Sequence, residues 1–354
     1  MATLPYASNE LEEVVDATRP LWEDLRGGRV LITGGTGFFG SWMVETFAHA
    51  NARLRLDARA VVLARHASSL RSRSPHLAGN PAIELFDADV RGFCAPDGVF
   101  SHVVHGATAA SAQLNDQQPL EMAEVILDGT RRMLELAARS GAPRFLFVSS
   151  GAVYGPQADL SHLREDHAGG PDPMNPRNAY AEAKRLAELW CVATLPTVVA
   201  RPFAFVGPGL PLDAHFAIGN FIADGLAGRR ICVKGDGTTV RSYLYATDLA
   251  TWLWTLLFRG ASGRAYNVGS EEAVSIRELA TLVGAHFSVP VEILQSPAPG
   301  KRPDRYVPST QRAREELGLT QRVSLPEAIR RTARWHAAGQ AAQPIEVSSS
   351  CQPS

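Results

Sequence analysis

Cysteine, excess charge and long apolar runs are all scarce in this chain, and each scarcity removes a class of protein. The four cysteines, Cys94, Cys191, Cys232 and Cys351, lie far apart and form no CxxC pair, which points to neither a disulfide framework nor a structural zinc. Lys plus Arg number 35 against 36 for Asp plus Glu, a formal net charge of -1. That balance argues against a broad basic face for nucleic acid or anionic lipid. No uninterrupted apolar stretch approaches the ~20 residues that cross a bilayer. Met1 to Glu10 holds no basic segment followed by an apolar core, so no secretory signal is expected. The reading is a soluble, cytoplasmic protein in a reducing compartment. Its 354 residues, 45% hydrophobic and 20% charged, are ordinary for a globular chain and suffice for about two domains or one lobed one.

Short apolar runs alternate with helix-like stretches. Arg29–Ile32, Ala60–Leu63, His102–His105, Arg144–Val148 and Thr197–Ala200 read as buried strands, and Leu120–Ser140 and Ala179–Ala193 carry helical periodicity. Strands alternating with helices predict an α/β fold with a doubly wound parallel sheet. After about Phe203 Gly and Pro multiply and the elements shorten. A smaller C-terminal lobe over the carboxyl edge of the sheet, where such folds bind ligands, is the expectation. Residues 1–27 read as a helical extension with Ser8 or Asn9 as cap, Leu11, Val14, Val15, Leu21, Trp22 and Leu25 as apolar face, and a break at Pro20. Residues 337–354, rich in Ala, Gln, Ser and Pro, read as a disordered tail.

Directly after the first strand stands Thr33-Gly34-Gly35-Thr36-Gly37-Phe38-Phe39-Gly40. In this spacing Gly34 permits the tight turn, Gly37 a close pyrophosphate, and Gly40 close packing of helix on strand. A helix from Ser41 to His49 would present its amino end to the phosphates. Strand, glycine turn and helix together define a dinucleotide site. The second strand should end on the residue that reads the adenosine ribose. If it spans Ala60 to Ala64, that residue is Arg65, whose guanidinium suits a 2′-phosphate, and NADP is favoured over NAD. Asp57 lies nearer the usual spacing and is the reader if the strand sits differently. Further on, a carboxylate of Asp87-Ala88-Asp89-Val90 can accept from the adenine amino group, or simply be a solvated strand end.

Tyr180-Ala-Glu-Ala-Lys184 places a phenol and an ammonium on one helical face. A nearby Lys and an oxidised nicotinamide make phenolate available near neutral pH. Ser149-Ser150, at the end of the strand Arg144–Val148, is placed to bond a substrate hydroxyl.

Here the chain resembles the extended short-chain dehydrogenase/reductases, in particular the nucleotide-sugar epimerase/dehydratase group. The resemblance runs from about Gly28 to His336. It rests on Thr33–Gly40, Asp89-Val90, His105-Gly-Ala107, Val148–Gly155, Tyr180–Lys184, Arg201-Pro202, Val206–Pro208, Gly235–Gly237, Val240–Tyr245, Asp248 and Tyr266–Gly269. It implies an NAD(P)-binding Rossmann domain over residues 28–202 and a substrate-binding lobe, interleaved with the sheet, over 203–336. It further implies Ser150, Tyr180 and Lys184 as catalytic residues, and Gly34, Gly37, Phe38, Phe39, Gly40, Arg65, Asp89 and Val90, with Tyr180 and Lys184, around the cofactor. The implied substrate is a nucleoside-diphosphate sugar, whose charges need cationic donors. Arg241 matches the phosphate-contacting arginine, Arg302 resembles a second, and Asn220 resembles a phosphate or nucleotide contact. Ala204 departs from the pattern, standing where many relatives carry Asn. A homodimer through Leu120–Ser140 and Ala179–Ala193 is the corresponding expectation for assembly; no metal, nucleic acid or membrane is expected.

The resemblance implies hydride transfer at sugar C4 as a shared first step. In 4,6-dehydratases an Asp-Glu pair follows the Ser/Thr, and decarboxylases of nucleotide sugars keep the Glu. Here the positions hold Gly151 and Ala152, which move no proton, unless Glu165 or Asp166 enters from a loop. A 4-epimerase is therefore favoured. The alternatives are a 4-keto-6-deoxysugar reductase, then a dehydratase or uronic acid decarboxylase, and outside enzymes a silent dinucleotide-binding sensor or scaffold. His215 is a candidate sugar or phosphate contact. His102 and His105 are not expected to share a metal, and Trp252-Leu-Trp254 is expected in the core.

Overall fold

The computed structural model describes residues 5–341 apart from 69, 72–73, 95–97, 109–111, 158–159, 213–215, 299 and 301. Seven strands form its main sheet: Arg29–Thr33 (β1), Arg59–Ala64 (β2), Ile83–Asp87 (β3), His102–His105 (β4), Arg144–Val148 (β5), Thr197–Pro202 (β6) and Arg264–Val268 (β7). Every apolar run read as a strand lies within one of them. Their order is β7-β6-β5-β4-β1-β2-β3, and all pairings are parallel. The order reverses between β1 and β4, so a crevice opens where their carboxyl ends part.

Alternation along each strand feeds two cores. Val30 and Ile32 face one side with Leu146 and Val148, under Ser8–Thr18 (α1), Phe38–Leu54 (α2) and Ala246–Arg259. Leu31, Phe145 and Phe147 face the other, under Pro119–Ser140 (α3) and Ala179–Thr194 (α4). Trp252 and Trp254 lie fully buried in the first core, as expected. A third apolar cluster joins Ala217–Leu226 (α5), Ile276–Phe287 (α6) and Leu325–Ala341 (α7) over the carboxyl edge of the sheet. That lobe carries a small sheet in which Val240–Arg241 is central, antiparallel to Val274–Ser275 and parallel to Arg305–Tyr306.

The ends differ in detail from expectation. Helix α1 is capped by the backbone of Ala7, with no side-chain cap from Ser8 or Asn9, and stops at Thr18; a 3-10 turn carrying Pro20 follows. Helix α2 begins at Phe38, a turn before Ser41, because the extended Gly37 already delivers the chain in register. Helix α7 continues through Ala341, so the first residues of the expected tail are helical; 342–354 lie outside the described residues. Among the described residues no helix is long and apolar enough to cross a membrane, and no group of His, Cys, Asp and Glu is placed to hold a metal.

His105 is buried between two hydroxyls: Nδ1 lies 2.9 Å from Thr33 Oγ1 and Nε2 lies 3.2 Å from Thr130 Oγ1. Burial, with the Lys184 ammonium nearby, pushes its pKa down to about 3. The folded chain thus keeps the ring neutral while the unfolded chain protonates it below its ordinary ~6.5. Stability from this site is complete above that value and is lost as pH falls. Between pH 6.5 and 4.5 wild type should lose about 1.4 kcal/mol per pH unit more than His105→Asn in urea unfolding. Parallel pH dependences would overturn this reading.

Candidate active site

Strand β1 ends at Thr33, whose hydroxyl accepts from the Gly106 and Ala107 amides at 3.2 and 3.0 Å and so fastens the end of β4 beside the turn. Gly34 then adopts φ +76°. A Cβ on it would stand 2.8 Å from the Gly106 carbonyl oxygen, and one on Gly40 2.2 Å from the Gly34 carbonyl oxygen; neither contact admits a side chain. Gly37 is exposed, and only the Gly34 carbonyl, at 3.4 Å, borders its missing Cβ. Space is thus kept open at the amino end of α2, where a pyrophosphate is favoured.

The turn forms one wall of a cavity of about 820 Å³. Gly34, Gly37, Phe38, Phe39, Gly40, Arg65, Asp89, Val90, Ser150, Tyr180, Lys184 and Arg241 all border it. Arg65 is exposed just past the end of β2, whereas Asp57 precedes that strand, so the strand sits as the Arg65 reading requires. Asp89 accepts from Arg91 Nε at 2.9 Å and Nη2 at 2.8 Å, which holds its carboxyl below the usual range. The Thr108 hydroxyl, also on the wall, is buried and without a hydrogen-bond partner. Glycine cradle, helix amino end and this orphaned hydroxyl fit a dinucleotide.

At the other end of the cavity α4 and β5 bring together three side chains. Lys184 is 1% exposed, and its ammonium donates to the Val148 carbonyl at 2.8 Å while lying 6.0 Å from the Tyr180 ring centroid. Burial pushes its pKa down to about 8. Burial raises that of Tyr180, and a hydrogen bond with Ser150 opposes the rise. Ser150 in turn caps the next turn, accepting from the Ala152 amide at 3.1 Å. Sequence reasoning missed Asn115, which accepts from the Tyr180 amide at 3.1 Å and donates to the Arg177 carbonyl at 2.7 Å, fixing the start of α4.

The remaining expected contacts divide. Asn220 borders a second cavity of about 940 Å³, with Arg229, Lys234 and Asp236. The two cavities share Ala217, Thr239 and Ile276, so they form one groove from the glycine turn into the lobe. Arg241 donates to Asp304 at 2.7 Å. Arg302 is exposed and borders neither cavity. Four residues on, Tyr306 does reach the wall, carried there by the pairing of its strand with Val240–Arg241. Ala204 stands in the wall with no amide to offer. Neither loop carboxylate enters. Glu165 is buried against the Asn267 amide at 2.9 Å, and Asp166 is exposed on Arg164 at 3.2 Å. His215 lies outside the described residues.

A doubly wound parallel sheet, a glycine cradle for a dinucleotide, and a Ser–Tyr–Lys group facing it across one cavity define a Rossmann-fold enzyme of the extended short-chain dehydrogenase/reductase class. The chain belongs to the NAD dependent epimerase/dehydratase family, which it matches over residues 30–269. It is similar to UDP-glucuronic acid decarboxylase 1 of Danio rerio, 31% identical over 87% of this chain and 72% of that protein. It is similar also to UDP-glucuronic acid decarboxylase 1 of Arabidopsis thaliana, 29% identical over 86% and 68%. Among solved structures, the UDP-glucose 4-epimerase of Thermotoga maritima with UDP-glucose aligns at TM-score 0.72 and 22% identity, covering 88% of this chain and 99% of that one. The dTDP-glucose 4,6-dehydratase of Streptomyces venezuelae with NAD and TYD bound aligns at 0.73 and 23%, covering 88% and 98%. These structural likenesses establish the shared fold.

Proposed function

We propose that this chain acts at C4 of a nucleoside-diphosphate sugar and that its net reaction is 4-epimerisation. The observation that carries the reading is chemical. Ser150, Tyr180 and Lys184 converge at one end of the cavity, while Asp89, beside the β2 and β3 ends, is the one carboxylate among the described residues of its wall. Elimination of water needs a further acid and base, and the positions beside Ser150 hold Gly151 and Ala152. Removing and returning one hydroxyl proton needs only the three residues present.

Bound in the cradle, a nicotinamide supplies reversible two-electron acceptance at the sugar carbon. Tyr180 as phenolate takes the C4 hydroxyl proton and later returns it. The Lys184 charge lowers the cost of that phenolate, and the Ser150 hydroxyl holds the sugar oxygen beside it. Arg241 faces the diphosphate, and Asn220 the nucleotide in the second cavity.

The decarboxylase relatives favour a second reading, loss of carbon dioxide from a nucleotide uronic acid after the same oxidation. The 4-keto-6-deoxysugar reductase, the 4,6-dehydratase and the silent sensor or scaffold are further arms of one experiment. The purified chain is incubated with UDP-, dTDP-, CDP- and GDP-sugars, their uronic acids and 4-keto-6-deoxy forms, and NAD or NADP, and products are weighed by mass spectrometry. Unchanged mass at a new retention time supports the epimerase. Loss of carbon dioxide or water, gain of two hydrogens, or no turnover each overturns it in favour of the corresponding alternative.

For the cofactor, Arg65 favours NADP, while the family's description and the neighbour solved with NAD lend that preference no weight. NADP should bind more tightly than NAD, and Arg65→Ala should weaken NADP by roughly tenfold with little effect on NAD. Equal losses for both in calorimetry would leave Arg65 as an adenine-stacking residue. Leu186, Leu189 and Val192 of α4 and Leu120 of α3 are exposed, which supports a homodimer through these helices; a sedimenting monomer would reject it. A cytoplasmic location completes the reading.

A further inference from the structure

Residues 5–10 join the lobe to the helix that follows the glycine turn. The Pro5 carbonyl accepts from Trp335 Nε1 of α7 at 3.3 Å. Tyr6 is buried, its ring stacked on Trp42 of α2 with 4.2 Å between centroids and 18° between planes. Its hydroxyl lies 2.9 Å from Ser41 Oγ, and Ser41 Oγ donates to the Phe38 carbonyl at 3.0 Å. A serine hydroxyl has one hydrogen, so Tyr6 is the donor to Ser41. Glu10 anchors the other end of the segment, where its Oε1 accepts from the buried Tyr245 hydroxyl at 2.6 Å.

What the segment holds is the loop 207–210. That loop follows Phe205–Val206, which pairs in parallel with Leu244–Tyr245. Gly209 adopts φ +84°, and a Cβ on it would stand 2.4 Å from Tyr6 Oη, so the loop sits directly on the phenol. Trp42 ties the same loop to α2, donating from Nε1 to the Pro208 carbonyl at 2.9 Å. Beyond these contacts lies the main cavity, bordered by Phe38, Phe39 and Gly40 of the helix start and by Leu210 and Pro211 of the loop. Tyr6 thus stands one residue behind the wall on both sides: Ser41 follows Gly40, and Gly209 precedes Leu210.

We propose that Tyr6 is a positioning residue for the dinucleotide cradle. Pinned among Ser41, Trp42 and Gly209, it fixes the gap between the amino end of α2 and the lobe loop, and so presets the opening into which the dinucleotide fits. Without the phenol the loop samples other arrangements, and binding must first gather them into one. An arrangement populated a tenth of the time binds about tenfold more weakly. The proposal rests on the glycine turn holding a dinucleotide and is independent of the reaction at C4.

The test compares the full chain with Tyr6→Ala, Tyr6→Phe and Leu25→Ala. Leu25 belongs to the same extension and is buried in the first core, but it precedes β1 at the end of that strand away from the glycine turn. Below the unfolding transition of every variant, NAD and NADP affinities are measured by calorimetry. Amide exchange over residues 37–43 and 207–211 of the unliganded chain is followed by mass spectrometry. Tyr6→Ala should weaken both dinucleotides about tenfold and speed exchange in both segments by a similar factor. Tyr6→Phe keeps the ring on Trp42 and loses only the bond to Ser41; it should weaken them about threefold, and it decides the matter if Tyr6→Ala does not fold. Leu25→Ala should lower thermal stability and leave affinity and exchange within about twofold of wild type. Wild-type affinity or wild-type exchange in the Tyr6 variants, or equal losses in Leu25→Ala, overturns the proposal. A wild type that binds neither dinucleotide removes the proposal together with the cradle. Weakened binding in a chain that turns over no nucleotide sugar sustains the positioning role and rejects the proposed reaction.

Discussion

Tyr180→Phe should lower turnover by about 10³- to 10⁴-fold, the upper range for removal of a general acid–base group. The substitution deletes one oxygen and keeps the ring against Lys184 and the α4 backbone. The start of α4, held through Asn115 to the Tyr180 amide, is untouched, so the fold and the dinucleotide cradle should survive. The loss then reports chemistry alone, and affinity for the dinucleotide should change less than about threefold. Lys184→Met makes a useful partner. It removes both the charge that favours phenolate and the 2.8 Å bond to the Val148 carbonyl, so its loss in rate should be accompanied by loss of stability. Turnover of Tyr180→Phe within tenfold of wild type would remove the phenol from the mechanism.

The parallel sheet was legible because its strands are continuous apolar runs between glycine turns, the mark of strands covered on both faces. Likewise Gly34 to Gly40 and Tyr180 to Lys184 were legible because their geometry is local: a turn, and one turn of helix. What escaped was set by distance along the chain. Tyr306 reaches the cavity wall only because Arg305–Tyr306 joins a small sheet with Val240–Arg241, a pairing no local pattern encodes. Arg302 was named on its resemblance to a phosphate-contacting arginine, which says nothing of direction, and the residue borders neither cavity. Glu165 was a candidate acid by sequence alone, while the fold spends its carboxylate on the Asn267 amide of β7. The helical start of the expected tail follows the same rule. Leu325, Ala328, Ile329 and Ala333, all before the tail, lay this helix on the lobe, and its last turn runs on through Ala341 with Ala337 and Ala338 exposed.

The largest stability effect should come from a pair behind the site. The side chains of Glu188 and Arg201 are 12% and 16% exposed, and they meet through two bonds, Nε to Oε1 at 3.0 Å and Nη2 to Oε2 at 2.6 Å. Glu188 also accepts from Ser149 Oγ at 2.5 Å, and Arg201 donates to Tyr154 at 2.9 Å. Burial works against the Arg201 charge, and the Glu188 bonds more than offset it. Glu188→Ala leaves that guanidinium buried without its counter-charge, which should cost about 3–5 kcal/mol, or roughly 4–7 °C in the midpoint of thermal unfolding. Glu188→Met with Arg201→Met removes both charges and should recover most of the loss, because two well-packed apolar side chains replace the pair at similar volume. A single-variant loss below about 1 kcal/mol would mean that water reaches the pair. The same pair fastens Ser149, and with it the end of β5 that carries Ser150, to the helix bearing Tyr180 and Lys184. The double variant should therefore regain stability without regaining full turnover, since Ser149 would still lack its acceptor; complete recovery of both would show that β5 and α4 hold the catalytic residues in place without this link.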